Sequence, residues 1–126
     1  MKLFVLLSMV FGHLFDDFFL QIPWLVNGKQ KEWWRVNVTD KQYENDYIIA
    51  MIAHAFSWTF VMMFPAAVYV DFQITVLFGI LFLLNVILHA FIDDQKANAR
   101  NINLIIDQKA HIGQVISTWI LLVAFK

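Results

Sequence analysis

Four long apolar stretches, separated by polar segments, account for most of the chain. Each is close to the roughly 20 apolar residues that a helix needs to cross a bilayer. Pro23 and Trp24 mark the end of the first stretch, because proline disfavours helix in the residue before it and tryptophan favours the membrane interface. The pattern predicts an all-α membrane protein, a four-transmembrane-helix bundle that forms a single domain over residues 1–126. The predicted spans are residues 3–22, 47–70, 72–92 and 104–125.

The basic residues of the polar segments predict the orientation of this bundle. Residues 27–46 form the one long loop and residues 94–103 a shorter linker, both at the same end of the predicted bundle. Cytoplasmic loops carry the excess of lysine and arginine, whereas the opposite end has only Lys2, Lys126 and the amino terminus. We therefore predict a protein of the bacterial inner membrane with both loops in the cytoplasm and both termini outside. The basic residues of the loops are Lys29, Lys31, Arg35, Lys41, Lys96 and Arg100.

Composition narrows the classes of function. Hydrophobic residues make up 60% of the chain and charged residues 15%, against about 25% charged residues in an ordinary soluble domain. The net charge of −1 offers no basic stripe, so no nucleic acid is expected as a partner. The predicted partner is the lipid bilayer, and the sequence leaves a homo-oligomer open. The chain has no cysteine, so any metal ion would be held by nitrogen and oxygen ligands.

Each predicted span contains one histidine, and all four histidines lie toward the cytoplasmic end of their spans. Residues four apart share a helix face, and each histidine has polar neighbours at multiples of about that spacing, with Ala50 between Asp46 and His54 leaving space beside them. Such polar stripes are expected to face the interior of the bundle, since exposing an ionised group to lipid costs several kcal/mol. Because the polar stripes of the four spans lie at the same depth in the membrane, we expect their side chains to meet in one cluster. The residues of the four stripes, span by span, are His13, Asp17 and Gln21; Asp46 and His54; Asn85, His89, Asp93 and Lys96; and Asp107, His111, Gln114 and Thr118.

Taken singly, these residues have structural interpretations. An intramembrane histidine is often a hydrogen-bonding group between helices, and Lys96 is typical of an interfacial basic residue. Asp16 lies close enough to the interface to be an anchor. Together these residues would make membrane insertion unfavourable, because each charge at the centre of a spanning helix costs about 2.5–3.5 kcal/mol on insertion scales. We therefore interpret the cluster as functional.

Histidine and aspartate at i, i+4 can hold a divalent transition metal, and Zn, Mn, Fe or Co would suit such ligands. The short linker should make the third and fourth spans adjacent and antiparallel, so that their two pairs face each other. The predicted metal ligands are accordingly His89, Asp93, Asp107 and His111. The predicted catalytic residues, for proton transfer or a second ion, are His13, Asp17 and His54, and the predicted substrate-binding residues are Gln21, Lys96 and Gln108. The same spacing also suits a proton relay in which an aspartate fixes the tautomer of a histidine, and spacing alone does not separate the two.

Three ordered motifs resemble a known family. They are His13-Leu-Phe-Asp-Asp17-Phe-Phe-Leu-Gln21, His89-Ala-Phe-Ile-Asp93-Asp-Gln-Lys96 and Asp107-Gln-Lys-Ala-His111. With them the chain resembles the domain-of-unknown-function 3307 family of small bacterial and phage membrane proteins, which implies a compact four-helix membrane protein without an established activity. More distantly, the histidine and aspartate spacing is similar to that of membrane-bound proteins described as metal-dependent hydrolases. The doubled Asp16-Asp17 departs from the pattern, and Asp17 is aligned because Phe18 follows it.

Two functions from different classes follow as hypotheses. The first is a membrane-embedded metal-dependent hydrolase near the cytoplasmic leaflet that acts on a lipid or other phosphate-containing headgroup, with Lys96 or Arg100 near the phosphate. The second is a proton- or ion-coupled carrier or channel that uses the same cluster. The outer halves of the spans are almost wholly apolar apart from Ser8, Gln114 and Thr118, which favours the one-sided pocket of a hydrolase. A phage membrane interaction protein that acts by assembly stays open as a third hypothesis.

Overall fold

The computed structural model describes all 126 residues as helices joined by short connections, with no β-strand. The all-α prediction is therefore confirmed. The elements are α1 (Lys2–Phe15), which continues as a π-helical turn (Asp16–Leu20), α2 (Pro23–Gly28), α3 (Lys31–Asn37), a 3-10 turn (Lys41–Tyr43), α4 (Asp46–Tyr69), α5 (Val76–Ala97) and α6 (Leu104–Trp119), which continues as a π-helical turn (Ile120–Ala124).

The four long helical segments pack side by side. α4 contacts α1 and α5, and α6 also contacts α1 and α5, so that the four surround a common interior. The short helices α2 and α3 lie against α4. A hydrogen bond from the backbone N–H of Lys31 to the side chain of Asn98 (2.8 Å) ties α3 to the end of α5. The long loop therefore covers one end of the bundle.

Three helices are long and apolar enough to cross a membrane, namely Lys2–Leu20, Lys41–Tyr69 and Val76–Ala97. They correspond to the first three predicted spans. The fourth predicted span forms α6 and the turn after it, but Asp107 and Lys109 in its first turns make it less apolar than the others. Membrane insertion of this fourth segment stays a prediction.

Local sequence sets where the third long helix begins. Asp71 and Phe72 take left-handed backbone angles (φ 51° and 56°), so the chain turns here instead of continuing as a helix. The hydroxyl of Thr75 then accepts a hydrogen bond from the backbone N–H of Phe78 (3.2 Å) and caps the new helix. The helix accordingly runs over Val76–Ala97, later at both ends than the predicted span of residues 72–92.

The long polar loop contains two helices that its composition does not predict. The indole N–H of Trp34 donates to the carbonyl of Gly28 (2.8 Å) and closes the turn between α2 and α3. Lys29 lies in that turn, and its side chain is only 8% exposed. From the sequence, Lys29 is one basic residue of a cytoplasmic loop; the fold buries it instead, because α2 and α3 lie across the end of the bundle.

Polar and apolar side chains are distributed in the reverse of the pattern of a water-soluble bundle. Twelve of the 30 buried residues are polar or charged, whereas soluble domains almost never bury charged residues fully unless they are paired. Large apolar side chains face outward, among them Phe19 (77% exposed), Leu83 (63%) and Ile105 (65%). A polar interior under an apolar surface is what a lipid environment favours. The apolar part of the interior includes Met9, Trp58, Met62, Met63 and Val115.

α1 and α4 approach closely at Gly12. A Cβ atom built on Gly12 would lie 2.9 Å from the carbonyl oxygen of Val61. Pro65, four residues after Val61 within α4, has no N–H to donate to that carbonyl. The carbonyl oxygen therefore faces a glycine of the neighbouring helix, a small-residue contact typical of helices that pack in membranes. This contact sets His13, the next residue, against α4.

Gly12→Ala should destabilise the bundle, because the added methyl group has to push α1 away from the backbone of α4. We expect a loss of about 1–3 kcal/mol, measured as a lower melting temperature by circular dichroism in detergent. Gly113→Ala is the matched control, since no atom lies within 4 Å of its Cβ position. Alanine there should be neutral or should stabilise α6 by up to about 1 kcal/mol. Equal melting temperatures for the two variants would contradict the close approach.

Candidate metal centre

The four histidines, one from each long helix, meet in the interior of the bundle. All four residues are at most 1% exposed. The rings of His89 and His111 stack with their centroids 4.1 Å apart, and the ring of His54 lies 5.0 Å from that of His89. His13 lies 5.8 Å from His111, again between ring centroids. The indole of Trp58 stacks on His89 at 4.2 Å, so a buried tryptophan supports the histidine layer.

Two groups of side chains lie close enough to hold a metal ion. The first group comprises Asp17, His54 and His89, and the second group comprises His89, Asp93 and His111. Within each group the ligand atoms lie within 4.8 Å of one another, and His89 belongs to both groups. The buried cluster therefore has the donor types and the spacing to hold a divalent ion at either of two overlapping positions.

Distances within the groups are those expected between ligands of one metal ion. In the first group, Nε2 of His54 lies 3.1 Å from Nε2 of His89 and 3.5 Å from Oδ1 of Asp17. In the second group, Oδ1 of Asp93 lies 3.3 Å from Nε2 of His111 and 3.7 Å from Nε2 of His89. Ligands placed about 2.0–2.1 Å from a tetrahedral ion are about 3.3–3.4 Å apart, whereas most hydrogen bonds span about 2.7–3.2 Å.

Several donor and acceptor atoms of the cluster have no hydrogen-bond partner, although they are buried. A buried polar atom without a partner costs about 1–3 kcal/mol, and native structures contain few of them. A set of such atoms around the ligand groups fits a bound cation and the proton transfers that accompany it. The atoms are His13 Nε2, Asp17 Oδ1, His89 Nδ1 and Asp107 Oδ1, together with Asp16 Oδ2 and His54 Nδ1, which face each other at 3.3 Å, longer than most hydrogen bonds.

Asp16 orients His54 from the side opposite the ligand atoms. Oδ2 of Asp16 lies 3.3 Å from Nδ1 of His54, and Oδ1 accepts a hydrogen bond from the hydroxyl of Ser57 (2.6 Å). A carboxylate at Nδ1 favours the proton there and leaves the lone pair on Nε2, as is common for metal-binding histidines. The side-chain amide of Gln21 donates to this Nε2 (3.0 Å), so an ion bound by His54 would displace that hydrogen bond. Ser57 and Asp16 together thus direct a ligand atom of His54 into the first group.

Asp16 and Asp17 are neighbours in sequence, yet both carboxylates reach the interior. Successive residues of a regular α-helix point about 100° apart. The two aspartates begin the π-helical turn Asp16–Leu20, which is wider and rotates less per residue; turns of this kind are frequent at functional sites. Asp16 is 1% exposed, so its interpretation as an interfacial anchor is wrong.

Hydrogen bonds also set the tautomers of two other histidines. Oε1 of Gln114 lies 3.0 Å from Nδ1 of His111, which places a proton on Nδ1. Nε2 of His111 faces Oδ1 of Asp93 (3.3 Å) and Oδ1 of Asp107 (3.4 Å), and because carboxylates only accept, this nitrogen carries a proton unless a metal ion takes the proton's place. The indole N–H of Trp58 donates to Nδ1 of His13 (2.8 Å). Because indole can only donate, a neutral His13 carries its proton on Nε2. His13 therefore presents the N–H of Nε2 as a hydrogen-bond donor, and its Nδ1 is not free to bind an ion.

Two lysines neutralise part of the negative charge. Nζ of Lys29 lies 2.6 Å from Oδ2 of Asp93, and Nζ of Lys96 lies 2.6 Å from Oδ2 of Asp107. Charge-assisted hydrogen bonds of this length are strong, and breaking a buried ion pair by removing one partner costs about 3–5 kcal/mol. Asp93 and Asp107 are thus compensated by cations that belong to the protein.

The other two carboxylates have no such partner. Asp16 is bonded by the hydroxyl of Ser57, and Asp17 by the neutral amide of Gln108 (3.0 Å), with imidazoles as their other neighbours. With the imidazoles neutral, four carboxylates against two ammonium groups leave two negative charges in the cluster. One divalent cation or two protons would balance them, and burying them unbalanced would be costly.

The three predicted substrate-binding residues lie at the half-buried edge of the cluster. The amide of Gln108 bridges two carboxylates, since it donates to Oδ2 of Asp17 and to Oδ2 of Asp107 (3.2 Å). The side chain of Lys96 is 35% exposed, and Gln21 contacts His54 from the same end. Each of the three therefore contacts the buried cluster and also keeps part of its surface accessible.

The structure brings every sequence-predicted site residue into this one cluster, but sequence reasoning missed three others. Trp58 lies four residues after His54 on the same helix face, so extending the polar stripe would have found it. Asp16 depends on the π-helical turn, and Lys29 on the packing of α2 and α3, and neither leaves a periodic signal. The predicted residues that meet here are His13, Asp17, Gln21, His54, His89, Asp93, Lys96, Asp107, Gln108 and His111.

No protein family, no curated protein and no solved structure matches this chain. The likeness to the domain-of-unknown-function 3307 family accordingly rests on the three motifs alone. What the centre does has to be inferred from its own side chains.

Proposed function

We propose that this chain is an integral membrane hydrolase that uses one divalent transition metal, held by Asp17, His54 and His89 near the cytoplasmic leaflet. One observation carries the proposal: a buried cluster of imidazoles and carboxylates has unpaired ligand atoms at the spacing that one metal ion requires. Burying such a set has a large free-energy cost, and a purely structural role does not explain that cost. Zn, Mn, Fe or Co would suit its nitrogen and oxygen donors.

The proposal includes four membrane spans, of which α6 with its π-helical turn is the fourth. The outward face of this segment is apolar, since Ile105, Ile116 and Leu121 are exposed. Its polar side chains, including Asp107 and His111, are buried. Ionisable residues that face the bundle interior are compatible with a spanning helix, which is why composition alone underestimates this segment.

The first group is the better position for the ion, because its carboxylate has no cation beside it. Asp17 accepts only a neutral amide hydrogen bond from Gln108, whereas Asp93 already pairs with Lys29. A divalent ion next to Asp17 gains attraction without displacing an ammonium group. Asp107, a ligand predicted from the sequence, lies outside both groups and pairs with Lys96.

The residues around this position suit hydrolysis of a phosphate ester. A bound ion would activate a water molecule as the nucleophile. His13, with its proton on Nε2 and no partner for it in the protein, supplies a hydrogen-bond donor for an oxygen of the phosphate. On the loop side, a surface cleft of about 520 Å³ is lined in part by Lys31, Arg35, Arg100 and Glu32, which pairs with Arg35. Three basic residues against one acidic residue would attract an anionic headgroup.

A proton relay is the second candidate, favoured by polar contacts that lead away from the cluster. Gln114, bonded to His111, donates to Oδ1 of Asn85 (3.2 Å), and Asn85 donates to the hydroxyl of Thr118 (2.8 Å). The sequence pattern predicts no continuous polar path in this half, and these contacts extend one as far as Thr118. Beyond it the interior is apolar at Leu122, so we place the relay second.

Single cysteines should label according to the positive-inside rule, since the chain has none of its own. Lys31→Cys lies in the predicted cytoplasmic loop and Gln73→Cys in the turn at the other end, and both positions are exposed. In spheroplasts, a membrane-impermeant maleimide should label Gln73→Cys and should leave Lys31→Cys unlabelled until detergent is added. The reverse result would move the cluster to the outer leaflet, and equal labelling of both would contradict membrane insertion.

Removing the metal should destabilise the purified protein. Metal analysis in detergent should find a transition metal bound, and chelation should lower the melting temperature. Adding Zn or Mn should restore it, because an ion at about 100 times its Kd stabilises the folded state by about 2.7 kcal/mol. Asp17→Asn should lose the ion, whereas the matched variant Asp107→Asn should keep it. Loss in Asp107→Asn alone would favour the ligands predicted from sequence, and no metal in any sample would favour the relay.

Asn85→Leu separates the two candidate functions, because it breaks the polar path to Thr118 without touching either ligand group. For a hydrolase, release of phosphate from vesicles containing phospholipid or prenyl phosphate should continue in Asn85→Leu. It should fall by about 100-fold or more in His54→Ala, a ligand variant. For a relay, Asn85→Leu should instead abolish proton flux into proteoliposomes, followed with a pH-sensitive dye. The hydrolase would be refuted if Asn85→Leu abolishes proton flux while phosphate release is the same in wild type and His54→Ala and does not depend on metal.

A further inference from the structure

We propose that Lys29 decides which of the two overlapping positions the metal ion occupies, because its ammonium binds Asp93, a ligand of the second position. The inference rests on the proposed function in assuming that the cluster binds an ion. It goes beyond that function by assigning the choice of position to a residue that is not a ligand and that comes from the loop.

The two groups compete because they share His89. A neutral imidazole offers one lone pair, so His89 can complete only one group at a time. The remaining ligands are Asp17 and His54 in the first group, and Asp93 and His111 in the second. Each complete group is one carboxylate and two imidazoles, so the ligand chemistry does not favour either position.

Lys29 makes the two positions unequal. Its Nζ lies 2.6 Å from Oδ2 of Asp93, with the two side chains only 8% and 4% exposed. The ammonium group neutralises this carboxylate, occupies one of its oxygens and repels a divalent ion placed beside it. Asp17, in contrast, accepts a hydrogen bond from the neutral amide of Gln108. Nε2 of His54 lies 3.5 Å from the oxygen of Asp93 that Lys29 binds, so the ammonium is near both positions, but only the second group has its carboxylate bound to it. The first group therefore keeps the stronger attraction for a cation.

The fold holds Lys29 in this place. The side chain of Asn98, at the end of α5, donates to the backbone carbonyl of Lys29 (3.1 Å) and accepts from the backbone N–H of Lys31 (2.8 Å). Gly28 packs on α4, where a Cβ atom added to it would lie 3.3 Å from the side chain of Ala50. The turn between α2 and α3 is thus fastened to two long helices, and the ammonium group is a fixed part of the centre.

Binding of Co²⁺ to the full-length chain in detergent, followed by absorption and by calorimetry, tests the proposal. Wild type should bind one ion, and Asp17→Asn should bind it at least about 100-fold more weakly. Adding Lys29→Gln to Asp17→Asn should bring the affinity back to within about tenfold of wild type, because the second group is then free of its ammonium. A further Asp93→Asn substitution should abolish this recovered binding.

Lys96→Gln is the matched control, since Lys96 also holds an aspartate at 2.6 Å, but outside both groups. Asp17→Asn with Lys96→Gln should stay as weak as Asp17→Asn alone, and so should Asp17→Asn with Lys29→Arg, which keeps the charge. If Asp17→Asn with Lys29→Gln fails to fold by circular dichroism and gel filtration, His54→Ala with Lys29→Gln makes the same test with a different ligand removed.

The outcomes separate this inference from the proposed function. Wild-type binding without recovery in the Lys29→Gln combinations would overturn the inference alone. Recovery of ion binding when Asp17→Asn is combined with Lys96→Gln or with Lys29→Arg would also overturn it. The first result would show that the position of the removed lysine does not matter, and the second that the charge at position 29 does not matter. Binding only in Lys29→Gln variants, and none in wild type, would support the role of Lys29 and refute the metal hydrolase. No binding in any variant would overturn both.

Discussion

Inside the bundle, four carboxylates face two ammonium groups and four imidazoles, while the long helices turn apolar surfaces outward. In such an interior, any polar group without a hydrogen-bond or ionic partner raises the free energy of the folded state. Each long helix must therefore turn its polar stripe toward the others, and the stripes have to meet at one depth. Trp58 binds His13 and stacks on His89 for the same reason, since it satisfies a nitrogen and packs a ring at once.

With the imidazoles neutral, the cluster would carry an excess of two negative charges, which explains why it supports both a metal centre and a proton relay. A divalent ion and a pair of protons balance the same charge, so composition does not distinguish them. Geometry favours the ion, because the imidazole and carboxylate atoms of the two groups lie 3.1–3.7 Å apart. Asp16 and Gln114 also face the far nitrogens, Nδ1, of His54 and His111, so that both Nε2 atoms point toward the ligand groups.

Departures from regular helical structure concentrate around the centre. The π-helical turn after Phe15 brings Asp16 and Asp17 inward together, and the missing N–H of Pro65 leaves a carbonyl that Gly12 can approach. The turn between α2 and α3 carries Lys29 into the interior. Sequences usually break local rules where a site requires it. Each of these three breaks either adds a charged group to the cluster or sets a histidine beside it.

The sequence alone determined three features: the long apolar stretches, the single polar stripe on each stretch, and the shared depth of the histidines. All three follow from helical periodicity, which is a local property of the chain. That was enough to predict an all-α chain and every member of the proposed site that lies on a regular stripe. Tertiary structure alone decided that His89 serves two groups, that Asp16 is buried, and that Lys29 pairs with Asp93 across 64 residues of chain. These depend on helix-to-helix distances and on where a loop folds back, and such non-local packing leaves no period in the sequence.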